Sequence, residues 1–112
     1  MVAAIILGSS SRWRRTLWEE NMEQQAAYMT PDIDEKAIRH EHAETLTLLI
    51  ANAKADALVD RLAKEQPDSE ALLICMDQVV RCNGVIREKP SSVEEARDFL
   101  QSYSRGDPAE VR

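Results

Sequence analysis

The sequence predicts an α/β fold, with a central mixed sheet flanked by helices. Two short apolar runs, residues 2–7 and residues 71–76, have the length and composition of buried strands. Between them lies a long segment, Ala43–Glu65, in which apolar residues recur at helical spacing. Strand-length apolar runs separated by helical segments are typical of a sheet covered by helices.

Five strands and three helices follow in order along the chain. We predict strands at 2–7, 26–30, 71–76, 79–81 and 85–87, and helices at 12–22, 43–65 and 93–103. Gly8 is expected to make a tight turn at positive φ, where a Cβ atom would clash. Asn83-Gly84 predicts a hairpin, and the residues from Ser92 to Glu95 predict a capping box. Residues 108–112 have the pattern expected for the first residues of a further secondary-structure element.

Composition limits the possible partners. The chain has 112 residues, an apolar content of 44%, a mean hydropathy of −0.42 and a net charge of −6. These values predict one soluble domain over residues 1–112, and they argue against nucleic acid or an anionic membrane as a partner. Cys75 and Cys82 lack zinc or CxxC spacing, so we expect reduced thiols in a cytoplasmic protein.

The first helix begins with a concentration of serines and arginines. Ser9, Ser10 and Ser11 follow the glycine, and Arg12, Arg14 and Arg15 come directly after them. Free backbone N–H groups at a helix start, together with guanidinium donors, favour the binding of phosphate. The stretch therefore predicts a polyphosphate site, although a capped helix with surface arginines would give the same pattern. It matches neither the P-loop nor the dinucleotide fingerprint.

Two acidic positions are candidates for chemistry. Asp77 follows the second apolar strand, at the sheet end where ligands bind in open α/β folds. A turn cap bonded to local backbone is the alternative for this residue. Asp32, Asp34 and Glu35 form an acidic loop, which is either solvated charge near a helix start or a site for magnesium or a base.

Lys54 and two histidines are weaker indicators of a particular chemistry. Lys54 adjoins the apolar stripe of the long helix, so it is either a surface lysine lying along that stripe or a charge that reaches into a cleft. His40 and His42 stand two residues apart, which places them on different faces of a helix. We expect both histidines at the surface and not at a metal.

Six motifs occur here in one order, and together they resemble the Maf family of nucleoside triphosphate pyrophosphatases. They are Gly-Ser-Ser-Ser-Arg-Trp-Arg-Arg, Pro-Asp-Ile-Asp-Glu, Ala-Lys-Ala, Asp-Gln-Val-Val, Glu-Lys-Pro and Tyr-Ser-Arg-Gly. The resemblance covers nearly the whole chain and implies a Maf/inosine-triphosphatase-like mixed sheet. Family members are usually nearly twice as long, so the chain resembles only their N-terminal half and is expected to be a fragment or a truncated gene product.

The resemblance implies a reaction and a set of site residues. Such enzymes cleave nucleoside triphosphates between the α- and β-phosphates with a divalent metal, here expected to be Mg²⁺. Asp77 corresponds to the catalytic proton acceptor, and Glu35 with Asp77 would hold the metal. The residues that match phosphate-binding positions are Ser9, Ser11, Arg14, Arg15, Lys54 and Lys89.

Two positions bear on the choice of base. Trp13 and Gln78 are similar to those of the subgroup that acts on 7-methyl-GTP, whose base is cationic and suits a tryptophan face. Packing of Trp13 in the core is the alternative. The resemblance also makes a homodimer plausible. The competing hypothesis for function is an inactive nucleotide-binding or interaction remnant.

Overall fold

The computed structural model describes residues 4–68 and 70–112. These residues form three α-helices, six strands and one 3-10 turn, Glu35–Ala37. The helices are α1 (Arg12–Asn21), α2 (Ala43–Glu65) and α3 (Val93–Ser104). The strands are β1 (Ile5–Gly8), β2 (Ala26–Met29), β3 (Leu72–Cys75), β4 (Val80–Cys82), β5 (Val85–Arg87) and β6 (Ala109–Val111). The predicted α/β class is confirmed, and the start of the first predicted strand, residues 2–3, lies outside the described residues.

The mixture of parallel and antiparallel pairing is divided between two sheets. One sheet is wholly parallel, with the order β2-β1-β3, and the other is wholly antiparallel, with the order β5-β4-β6. The chain separates into two compact units, each containing one sheet. The first unit comprises the residues up to Ile38 and Leu48–Asp77, and the second comprises Arg39–Thr47 and Gln78–Arg112. A single domain over residues 1–112 stays a prediction.

The core of the first unit forms around β1. This central strand is buried along its whole length, as expected for a strand that pairs on both sides. Ile50 and Leu58 of α2 are buried as well, about two helical turns apart on the apolar stripe that the sequence predicts. Helix α1, in contrast, contains no buried residue. Apolar burial in this unit therefore comes mainly from β1 and α2.

Gly8 has a different role from the predicted one. It is the last residue of β1, and positive φ among the described glycines occurs only at Gly84 and Gly106. A Cβ atom on Gly8 would lie 2.6 Å from the Sγ atom of Cys75 and 2.6 Å from a methyl carbon of Leu58. The expectation of a left-handed turn was wrong, because glycine is needed here for close packing of the strand and α2.

The second unit is built on the predicted hairpin. Asn83 and Gly84 both have positive φ, 52° and 77°, as a two-residue turn between twisted strands requires. Strand β6, which was not assigned from the sequence, pairs with β4 and completes the sheet. Ser92 is the N-cap of helix α3, and its side chain accepts from the Glu95 N–H at 3.0 Å. No helix among the described residues is long and apolar enough to cross a membrane.

Candidate functional site

Parallel pairing brings the predicted phosphate turn and the predicted catalytic acid to one edge of the first sheet. Gly8, the last residue of β1, is in register with Met29 of β2 and with Cys75 of β3. The chain therefore leaves all three strands at the same edge. In doubly wound sheets with the order 2-1-3, the ligand crevice lies beyond the ends of the first and third strands. Ser9 follows one of these strands and Asp77 the other.

The serines shape the turn between β1 and α1. The Oγ atom of Ser9 is buried and accepts from the backbone N–H of Ser11 at 3.0 Å. Ser11 is the N-cap of α1, and its side chain accepts from the Arg14 N–H at 3.4 Å. Of the three serines that could cap the helix, Ser11 takes this role, while Ser10 is exposed. The turn is thus held by its own side chains.

Arg14 and Arg15 both point back to this turn. The Nη1 atom of Arg14 donates to the Met76 carbonyl oxygen at 3.4 Å and to Ser9 Oγ at 3.5 Å, so it joins the turn to the end of β3. Arg15 donates from Nη2 to the Ser9 carbonyl oxygen at 3.4 Å. Its Nε atom is buried without a hydrogen-bond partner. These bonds are long, and a guanidinium offers five donors, so both side chains retain capacity for an anion.

Lys54 is a buried cation between two carboxylates. Its side chain is 8% exposed, and its Nζ atom lies 2.9 Å from Glu35 Oε1 and 3.5 Å from Asp77 Oδ1. The same atom donates to the Met76 carbonyl oxygen at 3.1 Å. A buried ammonium is stable only with such partners. The alternative of a surface lysine lying along the helix is therefore wrong, and Lys54 reaches the edge of the sheet.

Asp77 has one carboxylate oxygen engaged and one unpaired. Its side chain is only 12% exposed, Oδ1 faces Lys54, and Oδ2 is buried with no hydrogen-bond partner. Leaving a buried acceptor unsatisfied costs about 1–3 kcal/mol, so water or a ligand is expected to occupy this position. A turn cap would use local backbone N–H groups, whereas the partner of Asp77 is an ammonium from α2. The geometry thus favours a site residue over a structural cap.

Glu35 is the more exposed of the two acids. It opens the 3-10 turn, and its side chain is 44% exposed. Within residues 4–68 and 70–112, no group of three or more His, Cys, Asp or Glu side chains could hold a metal ion. Any metal bound by Glu35 and Asp77 would need further oxygen ligands from substrate or water.

The remaining predicted residues are exposed. The Trp13 side chain is 78% exposed on α1, so its expected alternative of core packing is wrong. Gln78 follows Asp77 directly in the chain but belongs to the second unit, as does the exposed Lys89 after β5. His40 and His42 are exposed, which confirms their expected surface position. Among the predicted residues, the structure therefore brings Ser9, Arg14, Glu35 and Lys54 to the sheet edge at Asp77.

Three groups of the site were not indicated by the sequence. The carbonyl oxygen of Met76 accepts from both Arg14 and Lys54, and no side-chain pattern reveals a backbone acceptor. The ring of Tyr28 lies 4.7 Å from the Arg15 guanidinium carbon. Burial raises the pKa of the Cys75 thiol, and the charge of Lys54 lowers it in part. Cys75 is a free thiol, as predicted, and so is Cys82.

Comparison with known proteins gives the family. The profile described as Maf-like protein matches residues 4–111. A curated relative from Dictyostelium discoideum, named 7-methyl-GTP pyrophosphatase, is 50% identical over 101 residues, which cover 88% of this chain and 51% of the relative. Relatives of the same name from Idiomarina loihiensis and Chromohalobacter salexigens are 36% and 39% identical. These two alignments cover 92% and 89% of this chain, and 50% and 48% of the relatives.

The extent of these matches has two consequences. The chain spans about half the length of the curated relatives it matches. The family profile nevertheless extends over nearly all of its residues and includes every predicted site residue. On that match, the chain belongs to the Maf-like protein family.

Proposed function

We propose that this chain carries the phosphate-binding and proton-accepting part of a nucleoside triphosphate pyrophosphatase. The reaction would convert the triphosphate to the monophosphate and pyrophosphate, with 7-methyl-GTP as the substrate. The names of the relatives support the reaction. The observation that carries the proposal is the unpaired Asp77 Oδ2, which lies at the same sheet edge as the Ser9 turn and next to Lys54.

The phosphate chain would bind at the serine–arginine turn. Ser9, Ser11, Arg14 and Arg15 supply hydroxyl and guanidinium groups there, and Lys54 supplies a buried charge. The hydrogen bonds of Arg14 are long, so phosphate oxygens can replace its present acceptors and gain shorter, charge-assisted bonds. We include Lys89, of the second unit, as a further phosphate ligand from its motif alone.

Asp77 is suited to accept a proton from water. Lys54 holds Oδ1 and leaves Oδ2 without a partner, so a water bound at Oδ2 can lose a proton to it. The water oxygen forms a new bond to the α-phosphorus, and the bond between the α-phosphorus and the oxygen that bridges it to the β-phosphate breaks. Pyrophosphate leaves with the electron pair of the broken bond, and the guanidinium and ammonium groups stabilise the added negative charge.

These residues fit a divalent cation that protein and substrate oxygens would bind together. The unpaired Asp77 Oδ2 is a hard oxygen donor that can bind either the attacking water or a cation, and Glu35 is the second carboxylate of this edge. Mg²⁺ usually binds through one or two carboxylates together with substrate phosphates. We therefore propose that Asp77 and Glu35 hold Mg²⁺, which when bound would neutralise charge on the phosphate oxygens.

Release of pyrophosphate tests the function. The purified chain would be assayed with Mg²⁺ against 7-methyl-GTP, GTP, dTTP, UTP and CTP, together with Asp77→Asn and a matched Asp34→Asn control at an exposed acid. We expect turnover of 7-methyl-GTP that falls at least about 100-fold in Asp77→Asn and stays within about twofold in the control. Equal loss in both variants would remove the proposed role of Asp77.

The choice of base rests on Trp13 and Gln78. An exposed indole face can stack on a cationic 7-methylguanine, and the amide of Gln78 can donate to and accept from a base edge. Trp13→Ala should lower the preference for 7-methyl-GTP over GTP by about 2- to 30-fold, which corresponds to a cation–π energy of about 0.5–2 kcal/mol. Leu17→Ala, at another exposed apolar residue of α1, is the control and should leave the ratio unchanged.

A second candidate function is binding of a nucleotide without cleavage. The serine–arginine turn and Lys54 could hold a phosphate chain even if Asp77 did not act on water. Binding of 7-methyl-GTP by calorimetry, without release of pyrophosphate from the folded chain, would favour this candidate. We further propose a homodimer, a cytoplasmic location and a single domain over residues 1–112. Light scattering would measure the oligomeric state.

A further inference from the structure

We propose that Tyr28 is a positioning residue for Arg15, which it holds beside the serine turn while keeping Glu19 from neutralising the arginine. The inference rests on the proposed function, because it assumes that Arg15 binds phosphate. It concerns only residues of the first unit.

The first observation is the stacking of Arg15 on a neutral ring. The guanidinium carbon lies 4.7 Å from the centre of the Tyr28 ring, and Nη2 donates to the Ser9 carbonyl oxygen. Register fixes the ring, since Tyr28 is the β2 partner of Leu7 in the buried central strand. A π face attracts a guanidinium without cancelling its charge. Arg15 is therefore oriented and still fully cationic.

The second observation concerns the carboxylate nearest to Arg15 along the helix. Glu19 stands four residues after Arg15 on α1, the spacing at which opposite charges pair directly. Instead, the Tyr28 hydroxyl donates to Glu19 Oε1 at 2.9 Å. In the described part of the chain, none of the ion pairs involves Arg15. Tyr28 thus separates a pair that the helix would otherwise bring together.

The hydroxyl can keep this role over the physiological pH range. Partial burial and the hydrogen bond to Glu19 raise the pKa of Tyr28 above its ordinary value, and the nearby Arg15 lowers it only in part. Tyr28 therefore remains a protonated donor at neutral pH. The other polar atom of interest is Arg15 Nε, which is buried without a partner and remains available to an incoming oxygen.

The test is a calorimetric titration of the purified chain with inorganic triphosphate at low salt. Tyr28→Leu removes both the ring and the hydroxyl, so we expect the Kd to rise about 3- to 10-fold. Tyr28→Phe keeps the ring but loses the bond to Glu19, so its Kd should rise by about two- to threefold, less than in Tyr28→Leu. Adding Glu19→Gln to Tyr28→Leu should recover at least half of the loss on a logarithmic scale. Glu20→Gln, at an exposed neighbouring acid, is the control for a general charge effect.

Each outcome decides between the proposals. If Glu19→Gln restores binding to the Tyr28→Leu variant and Glu20→Gln does not, the result supports a positioning role for Tyr28. A general loss of structure would not be reversed by removal of one particular carboxylate. A Kd that is unchanged in Tyr28→Leu but raised in Arg15→Gln overturns the role of Tyr28 and leaves the proposed function intact. A Kd that is unchanged in Arg15→Gln removes Arg15 as a phosphate ligand and this inference with it. No binding by the folded wild-type chain overturns both proposals.

Discussion

Replacement of Lys54 by methionine is the most direct test of the charge arrangement at the site. The ammonium lies 2.9 Å from Glu35 Oε1, 3.1 Å from the Met76 carbonyl oxygen and 3.5 Å from Asp77 Oδ1. At an effective dielectric constant of about 20, the pair with Asp77 has a gross attraction of about 5 kcal/mol. Desolvation offsets part of this energy. The remaining effect is large mainly because Lys54→Met leaves a carboxylate that is 12% exposed without its cation.

We expect Lys54→Met to lower the free energy of unfolding by about 2–4 kcal/mol. For a chain of this size, that shift should move the urea midpoint by about 1–2 M, measured by far-UV circular dichroism. Asp77→Asn in the same background should recover part of the loss, with a coupling energy of about 1–3 kcal/mol. Glu35→Gln should cost less than about 1 kcal/mol, since that side chain is 44% exposed and its charge is screened by water.

Lys36→Met is the matched control, because this lysine lies in the same unit and is exposed. Its unfolding free energy should stay within about 0.5 kcal/mol of wild type. Strict additivity of Lys54→Met and Asp77→Asn would refute the reasoning, since it would mean that the two charges do not interact. A destabilisation of Lys36→Met equal to that of Lys54→Met would refute it as well.

Three further measurements follow from single features of the structure. Gly8→Ala should destabilise the chain by about 1–3 kcal/mol in a urea titration, because the new Cβ atom would lie 2.6 Å from Cys75 Sγ and from a Leu58 methyl carbon; an unchanged midpoint would contradict this packing. Alkylation of Cys75 by iodoacetamide should be slower at pH 7 than that of an unperturbed thiol and should increase above pH 9, because burial raises its pKa; a rate equal to that of free cysteine would contradict it. The pKa of Glu44 is lowered, by a backbone hydrogen bond and by cations that include Arg112, so its stabilising contribution is present above about pH 4.5 and is lost as the pH falls further. Glu44→Gln should therefore flatten the acid side of the stability profile, and identical profiles would argue against this linkage.

Elements with local signals were predicted closely. Helix α2 begins and ends at the predicted residues, because apolar residues recur at helical spacing along nearly its whole length, from Ala43 to Ala63. The hairpin was predicted from two residues alone, since Asn83 and Gly84 tolerate the positive φ that the turn requires. In both cases the information lies within one stretch of sequence.

Elements that depend on distant pairing were predicted less well. Strand β6 has only three residues, too few for their alternation to be a signal, and it is a strand because Val111 and Ala109 pair with Val80 and Cys82 of β4. The role of Gly8 was misjudged for a similar reason. Its neighbours are Cys75 and a residue of α2, which no local pattern around Gly8 reveals.

The grouping of the site was predictable in part. Parallel strands end at one edge of a sheet, and this rule alone placed the Ser9 turn near Asp77. The stacking of Tyr28 on Arg15 was not predictable in this way, because it depends on the register of β2 and on the rotation of α1 together. Orientations of side chains across two elements need the assembled backbone.

The position of Lys54 within α2 indicates from the sequence alone that its side chain is buried. Lys54 stands four residues after Ile50 and four before Leu58, so all three lie on one face of the helix. Ile50 and Leu58 are buried, and a lysine at the centre of their stripe points into the protein, where its chain cannot extend to solvent. A buried ammonium requires hydrogen-bond acceptors. Acidic residues located where the strands end are the ones that can supply them. The helical phase of Lys54 therefore indicates a buried ammonium that needs partners, and the structure supplies them from Glu35, Asp77 and the Met76 carbonyl oxygen.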